Sequence, residues 1–286
     1  MTLQEIYNQI RRELPQAEVE AASFDGMCLF EAVVSMDRRE LILHREEPAD
    51  GEKCQQVLKL TRRRCEGVPL QYLLGRWEFM GFEFSVGEGV LIPREDTEVL
   101  VREGLAFLQK QPSGQPLRVL DLCAGSGTVC VSIQRECPRA KTTAVELSEV
   151  AMGYLRENIR RAEVEVAVLP WDILSGELPE LPLQDAILSN PPYLTAQDMR
   201  ELSPEVQKEP VMALDGGEDG LRFYRGILRD WLTLLKPGGL LAVECGMGQG
   251  KELAEMFRAA GLGEIRICYD LNGIDRVVCG INFPKN

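Results

Sequence analysis

The chain has 286 residues, 45% of them hydrophobic, a formal net charge of −13, nine cysteines and one histidine. That acidity argues against a surface whose main task is to hold nucleic-acid phosphates, which takes clustered Lys and Arg, and no run approaches the roughly eighteen apolar residues of a membrane span. The lone His44 excludes Ser-His-Asp triads and His-rich metal centres, and the absence of a C-x-x-C pair gives no reason to expect a zinc site or disulfide framework.

Residues 1–75 read as a small helical domain. Leu29, Ala32, Val33 and Met36, and then Cys54, Val57, Leu58 and Thr61, recur at helical spacing, with breaks at Pro15 and at Pro48-Ala49-Asp50-Gly51. Arg62-Arg63-Arg64 reads first as the solvated face of a helix and second as a docking patch for an acidic or RNA-bound partner. His44 is expected at the surface or a helix cap. Residues 76–92 predict a β-hairpin connector, because Trp77, Phe79, Phe82, Phe84 and Val86 flank a Met80-Gly81 turn.

Over residues 93–286, strand-like runs at 118–122, 142–146, 164–169, 186–189 and 240–244 alternate with helical stretches, which predicts a parallel sheet covered on both faces. The last two runs, 264–269 and 275–279, are joined through Asn272-Gly273 and must pair antiparallel. A mostly parallel seven-stranded sheet with an antiparallel last strand is the α/β layout of Rossmann-like class I S-adenosylmethionine-dependent methyltransferases. The N-terminus, Met1-Thr2-Leu3-Gln4-Glu5, is unlike a signal peptide, so a cytoplasmic protein is expected.

Asn190-Pro191-Pro192-Tyr193 follows the apolar run 185–189. Each proline lacks an N–H and has φ fixed near −65°, so the loop is stiff and rich in acceptors; the Asn190 oxygen adds another. Two acceptors on one planar nitrogen hold its hydrogens and aim its lone pair at an electrophile, as methylation of an amide or aromatic amine requires. Tyr193 offers a flat face over the target. The tetrapeptide also reads as a plain turn, but ligands of open α/β sheets bind beyond the carboxyl ends of strands, where this loop falls.

Asp121-Leu122-Cys123-Ala124-Gly125-Ser126-Gly127 is a strand running into a glycine turn before a helix, a weak fingerprint without the full G-x-G-x-x-G spacing. Asp121 suits an ammonium better than a pyrophosphate. Glu146, ending the next strand, is the expected acidic grip on two ribose hydroxyls. Asp172 is placed to accept from an adenine amino group, with Ile173 or Trp171 over the ring.

With these features the chain resembles the PrmC/HemK family, the glutamine methyltransferases of class I peptide chain release factors. The resemblance runs nearly its whole length, on Pro69-Leu70-Gln71-Tyr72-Leu73-Leu74-Gly75, Leu91-Ile92-Pro93-Arg94-Glu95-Asp96-Thr97-Glu98, the 121–127 turn and Asn190-Pro191-Pro192-Tyr193. It continues through Glu209-Pro210, Ala213-Leu214-Asp215-Gly216-Gly217-Glu218-Asp219-Gly220-Leu221, Lys236-Pro237-Gly238-Gly239 and residues 270–277.

The resemblance implies an N-terminal substrate-recognition domain at 1–75, a linker hairpin at 76–92 and an S-adenosylmethionine-dependent catalytic domain at 93–286. It implies a class I release factor as protein substrate, with no direct nucleic-acid partner, no membrane and a monomeric enzyme. It also implies that Cys123, Ala124, Gly125, Ser126, Gly127 and Glu146 bind the cofactor, that Ile173 lies against adenine, and that Asn190, Pro191, Pro192 and Tyr193 hold the substrate glutamine. Arg94, Thr97 and Glu98 are expected to brace the site. Cys123 and Ala124 stand where the family usually has Gly-Thr, and Ile173 where some members have an aromatic residue. Competing readings are a ribosomal-protein glutamine methyltransferase, a DNA adenine methyltransferase, which uses a similar loop on a flipped base, and a cofactor-binding scaffold without turnover.

Overall fold

The computed structural model describes residues 1–14, 19–112 and 114–283. These fall into two compact units, Met1–Arg76 with Ser203–Lys208, and Trp77–Leu202 with Glu209–Asn286.

The first unit is helical: α1 (Leu3–Glu13), α2 (Val19–Val34), α3 (Arg38–His44), α4 (Gly51–Cys65) and α5 (Leu70–Leu74). Thr2 and Glu5 form a capping box on α1, and the Asp50 carboxylate accepts the Glu52 and Lys53 N–H groups, so the expected break at 48–51 is the start of α4. Ile6 and Ile10 of α1, Leu29 and Phe30 of α2 and Val57 of α4 are fully buried, each contributing about 1.5–3 kcal/mol.

The inward face of α2 is Leu29, Phe30, Val33 and Val34. Ala32 is exposed and Met36 lies beyond the helix end, so the anticipated stripe was one residue out of phase. Arg64 also departs from expectation. Arg62 and Arg63 are exposed, whereas the Arg64 guanidinium pairs with Asp25 at 2.6 Å and Glu205 at 2.5 Å. His44 is at the surface, with Nδ1 2.7 Å from Glu47. Pro15 lies outside the described residues.

The hairpin is β1 (Arg76–Phe79) and β2 (Phe82–Ser85), turning through Met80 (φ 49°) and Gly81 (φ 71°), the two positive φ values of a primed turn. Phe79 and Phe84 are buried edge to face at 6.0 Å within the core of the second unit. There follow α6 (Thr97–Gln109), β3 (Leu117–Leu122), α7 (Thr128–Glu136), β4 (Ala140–Glu146), α8 (Glu149–Arg161), β5 (Val166–Pro170) and β6 (Gln184–Ser189). The remainder is α9 (Arg222–Arg229), β7 (Leu235–Glu244), α10 (Gly250–Ala259), β8 (Leu262–Tyr269) and β9 (Asp275–Asn282).

The seven strands lie in the order β5-β4-β3-β6-β7-β9-β8. β9 alone is reversed, antiparallel to β7 and β8. Val164, expected to open a strand, instead closes α8 through its N–H to the Ile159 carbonyl. The sheet carries a core on each face, one built with α6 and α7, the other with α9 and α10.

The chain winds from β3 outward to β4 and β5, then returns to place β6 on the other side of β3. At that switch of direction the loops leaving β3 and β6 part company and open a crevice, the usual ligand position in such sheets. The fold therefore brings the glycine turn and the Asn-Pro-Pro-Tyr loop together.

Candidate active site

A cavity of about 530 Å³ lies in this crevice, and Cys123, Ala124, Gly125, Ser126, Glu146, Asp172, Ile173, Asn190 and Pro192 all line it. Asp121, Gly127, Pro191 and Tyr193 are not among its lining residues.

Gly125 (φ 55°) has nothing within 4 Å of the position a Cβ would take, so the backbone stays open to a ligand. Gly127 serves packing instead: its φ is 89°, and a Cβ there would meet Leu155 at 2.5 Å. Cys123 adopts φ 61°, a left-handed backbone that only Gly visits freely. The underside of the turn is fixed by fully buried Asn158, whose Nδ2 donates to the Ser126 carbonyl at 2.9 Å and the Ser85 carbonyl at 3.0 Å while Oδ1 accepts from Ser85 N–H at 2.6 Å.

Glu146 is locked by three backbone donors, Gly125 N–H at 2.8 Å on Oε2, and Leu147 N–H at 2.8 Å and Ser148 N–H at 2.7 Å on Oε1. A carboxylate has about four lone-pair sites, so one remains for a hydroxyl. Asp121 sits beneath the turn at 1% exposure. Its Oδ2 accepts from Cys130 N–H at 3.0 Å, while Oδ1 is buried without a partner among the described residues. Burial pushes this carboxyl up to about 7, and the nearby Glu146 charge adds to the effect.

Trp171 and Ile173 both border the cavity. The Trp171 indole donates to the Glu177 carbonyl at 3.1 Å, and the Ile173 carbonyl accepts from Trp231 at 3.0 Å. Asp172 Oδ1 accepts from Leu174 N–H at 2.8 Å. The open backbone at Gly125, the spare acceptor of Glu146 and an apolar wall at Ile173 fit a nucleoside-bearing ligand, and the orphan oxygen of Asp121 fits a cation nearby.

On the opposite wall, Asn190, which lines the cavity, donates through Nδ2 to Thr97 Oγ1 at 3.1 Å, while its amide oxygen accepts from none of the described residues. Arg94 is held by Glu209, which is 4% exposed and also accepts Ile92 N–H at 2.9 Å. Glu98, expected as a brace, pairs with Arg102 at 2.6 Å along α6.

A further brace was not read from sequence as such. Leu194 N–H donates to the Leu214 carbonyl at 3.0 Å and Gly216 N–H to the Leu194 carbonyl at 2.9 Å. Gly216 and Gly220 lie so close to the Tyr193 backbone that a Cβ would fall 2.7 Å from its Cα and 2.4 Å from its carbonyl oxygen, respectively. Gln249 donates to that carbonyl at 3.1 Å. Positions 213–221 carried the family resemblance, but nothing local announces which backbone they support.

The crevice at this switch point, with a glycine turn and an acidic strand end on one side and an acceptor loop on the other, defines a Rossmann-like methyltransferase. Residues 5–75 match the PrmC N-terminal domain and residues 100–214 the methyltransferase small domain. The chain is 38% identical over 284 residues to a release factor glutamine methyltransferase of Geobacter sulfurreducens, covering 98% of this chain and 96% of that protein. It is 34% identical over 287 residues to the enzyme of the same name from Caulobacter vibrioides, covering 99% and 98%. A methyltransferase crystal structure from Pyrococcus furiosus shares the fold at a TM-score of 0.52 and 16% identity, covering 82% of this chain and all of that one. The chain belongs to the release factor glutamine methyltransferase family. Among the described residues no helix is long and apolar enough to cross a membrane.

Proposed function

We propose that this protein transfers a methyl group from S-adenosylmethionine to the side-chain amide nitrogen of the glutamine in the Gly-Gly-Gln motif of class I release factors, in the cytoplasm and as a monomer. The observation that carries the reading is the hydrogen bond from the Asn190 NH2 to Thr97 at the wall of the cofactor crevice, with the amide oxygen bonded to none of the described residues. Full-length identity to release factor glutamine methyltransferases supports this substrate over a ribosomal protein or DNA adenine. Residues 1–75 are assigned to substrate recognition, 76–92 to the linker hairpin and 93–286 to methyl transfer.

When bound, the cofactor supplies a sulfonium-activated methyl group. Cys123, Ala124, Gly125 and Ser126 would hold it along the turn that Gly127 packs in place, Asp121 would support its ammonium, Glu146 would grip its ribose, and Asp172 and Ile173 would meet its adenine. Asn190 and the Pro191 carbonyl accept the two N–H groups of the substrate amide, Pro192 walls the pocket, and Tyr193 covers the amide plane. Held there, the amide nitrogen would take up the methyl group, its new N–C bond replacing the S–C bond of the sulfonium. Its lone pair is delocalised into the carbonyl, so acceptors that favour positive charge on nitrogen lower the barrier, and alignment contributes up to about 7–11 kcal/mol. The cationic N-methylated amide, still carrying both of its N–H protons, is strongly acidic and would lose one of them to water, so no histidine base is needed.

The test is methyl transfer from labelled S-adenosylmethionine to purified release factor, run beside its Gly-Gly-Ala variant and duplex DNA. Label in the wild-type factor alone is the expected result; label in DNA, or equal label in the Gly-Gly-Ala variant, overturns the assignment.

A further inference from the structure

Cys268 of β8, Cys279 of β9 and Glu103 of α6 come from distant parts of the chain, yet the two sulfurs and a carboxylate oxygen of Glu103 all lie within 4.8 Å of one another. Strand pairing explains the thiols. Cys279 lies opposite Arg266 and Cys268 opposite Val277, so the two cysteines are diagonal neighbours on one face of the antiparallel pair. Both belong to the core built with α6 and α7, where Cys279 is fully buried and Cys268 half-buried. β8 is the edge strand of the sheet. None of the three residues lines the cavity, and the chemistry described above uses none of them.

Diagonal partners on paired strands stand about 7–8 Å apart, whereas the Cα atoms of most disulfides are roughly 4.4–6.8 Å apart. A disulfide would have to draw the strands together. A metal ion bridges the gap without that movement. With Zn–S at about 2.3 Å and Zn–O at about 2.0–2.2 Å, tetrahedral neighbours stand about 3.6–3.8 Å apart. Donors already within 4.8 Å of one another therefore need to close by only about 1 Å, which side-chain rotation supplies. Two thiolates select zinc over magnesium or calcium, which prefer oxygen throughout.

The charges suit a dication. Arg266 Nη1 is 3.0 Å from Glu103 Oε2, with side chains 57% and 24% exposed. Glu103 Oε1 accepts from none of the described residues, so one oxygen can ligate while the guanidinium holds the other, the outer support that ligating carboxylates commonly have. Two thiolates, one carboxylate and one guanidinium leave two negative charges, which one Zn²⁺ cancels. We propose that Glu103, Cys268 and Cys279 form a zinc site that ties β8 and β9 to α6, with water in the fourth position. The partial exposure of Glu103 and Cys268 gives that water its access. Each thiol gives up its proton as its S–Zn bond forms, so uptake of one ion releases two protons, while Glu103 is already ionised.

The test is calorimetric titration of the full-length, reduced, metal-free protein with Zn²⁺ at pH 7, in buffers of different ionisation heat, beside Cys268→Ala and Glu103→Ala. The wild type should take up one equivalent and release about two protons. Cd²⁺ in its place should give the ultraviolet band of thiolate-to-metal charge transfer. Cys268→Ala should weaken zinc binding about a hundredfold and Glu103→Ala about tenfold or more, since losing a ligand costs at least as much as losing its outer support. Zinc should raise the melting temperature of the wild type and not that of Cys268→Ala. Cofactor affinity should be unchanged in both variants, which lie outside the cavity, and so reports an intact fold. Failure of the wild type to bind zinc, or binding without proton release, overturns the proposal. Equal affinity in Cys268→Ala overturns it too, because the ion then sits on others of the nine cysteines.

Discussion

The backbone N–H of Gly125 is bonded to Oε2 of Glu146 at 2.8 Å, so the turn after β3 and the acidic end of β4 form one preassembled unit. The carboxylate that meets the ribose in the proposed complex also holds the turn that cradles the ligand, and its position needs no ordering on binding.

Glu146→Ala removes the acceptor of three N–H groups at once. Calorimetry should show at least about a tenfold loss of S-adenosylmethionine affinity, equivalent to about 1.4 kcal/mol. Glu146→Gln should fall between, because its single carbonyl oxygen cannot replace both carboxylate oxygens. Unchanged affinity in the alanine variant removes Glu146 from the cofactor site.

Asn190→Ala leaves the pocket without its side-chain acceptor. Turnover should drop about a hundredfold or more, the scale seen when one preorganised electrostatic contact is deleted, with cofactor affinity nearly unchanged. Steady-state kinetics with release factor as substrate decide this, and near-normal kcat removes Asn190 from the mechanism.

Cys123 holds φ 61°, where a Cβ costs roughly 1–2 kcal/mol. Cys123→Gly should therefore be neutral or stabilising by up to about 1 kcal/mol despite the lost side chain, since the strain relieved offsets the added freedom of the unfolded chain. Cys123→Val, β-branched at a positive φ, should destabilise by about 2 kcal/mol or more. Urea denaturation of the two variants checks the pair; equal destabilisation in both contradicts the strain account.

Asp121 carries a pH signature in the ligand-free protein. Its folded carboxyl titrates near 7 against an ordinary value of 3.8, so the folded state binds the proton more tightly than the unfolded one, and stability falls as pH rises between those values. Glu244, also near 7, acts in the same direction. Asp121→Asn keeps an oxygen for the Cys130 N–H and removes the buried charge. It should raise stability at pH 8 by about 1–3 kcal/mol and leave it nearly unchanged at pH 4. Urea melts at the two pH values test this, and a variant less stable at pH 8 than the wild type contradicts it.

Periodicity and turn chemistry were local enough to read directly. Alternating aromatics around Met80-Gly81 announced the hairpin, and apolar runs ending in glycine or proline located the central strands, because burial on both faces leaves little room for polar residues. Boundaries were less legible. Val164 resembles a strand residue in any window, yet α8 needed one more turn to close, and the phase of α2 depended on Phe30 facing Tyr7, a contact 23 residues away in sequence.

The candidate site divides in the same way. Residue type alone marked Gly125, Glu146 and Asn190, since an open backbone, an acidic strand end and an acceptor before two prolines each have few other uses. Thr97 was expected to brace the site but without a partner, and Glu209 looked like an ordinary loop acid. Only the tertiary structure gives Thr97 its partner Asn190 and sets Glu209 against Arg94 and the Ile92 N–H. The same holds away from the cavity, where the β8–β9 pairing and α6 gather Glu103, Cys268 and Cys279 within 4.8 Å, although no spacing in the chain suggests it and Arg266 already engages Glu103 at 3.0 Å.

The sequence by itself determined the class of fold, the order of its elements and the residue types able to accept hydrogen bonds from an amide. Only the tertiary structure decided which of those groups are buried, which are already satisfied and which way the Asn190 amide faces. Those properties depend on what surrounds each atom, and most of the surroundings come from distant parts of the chain.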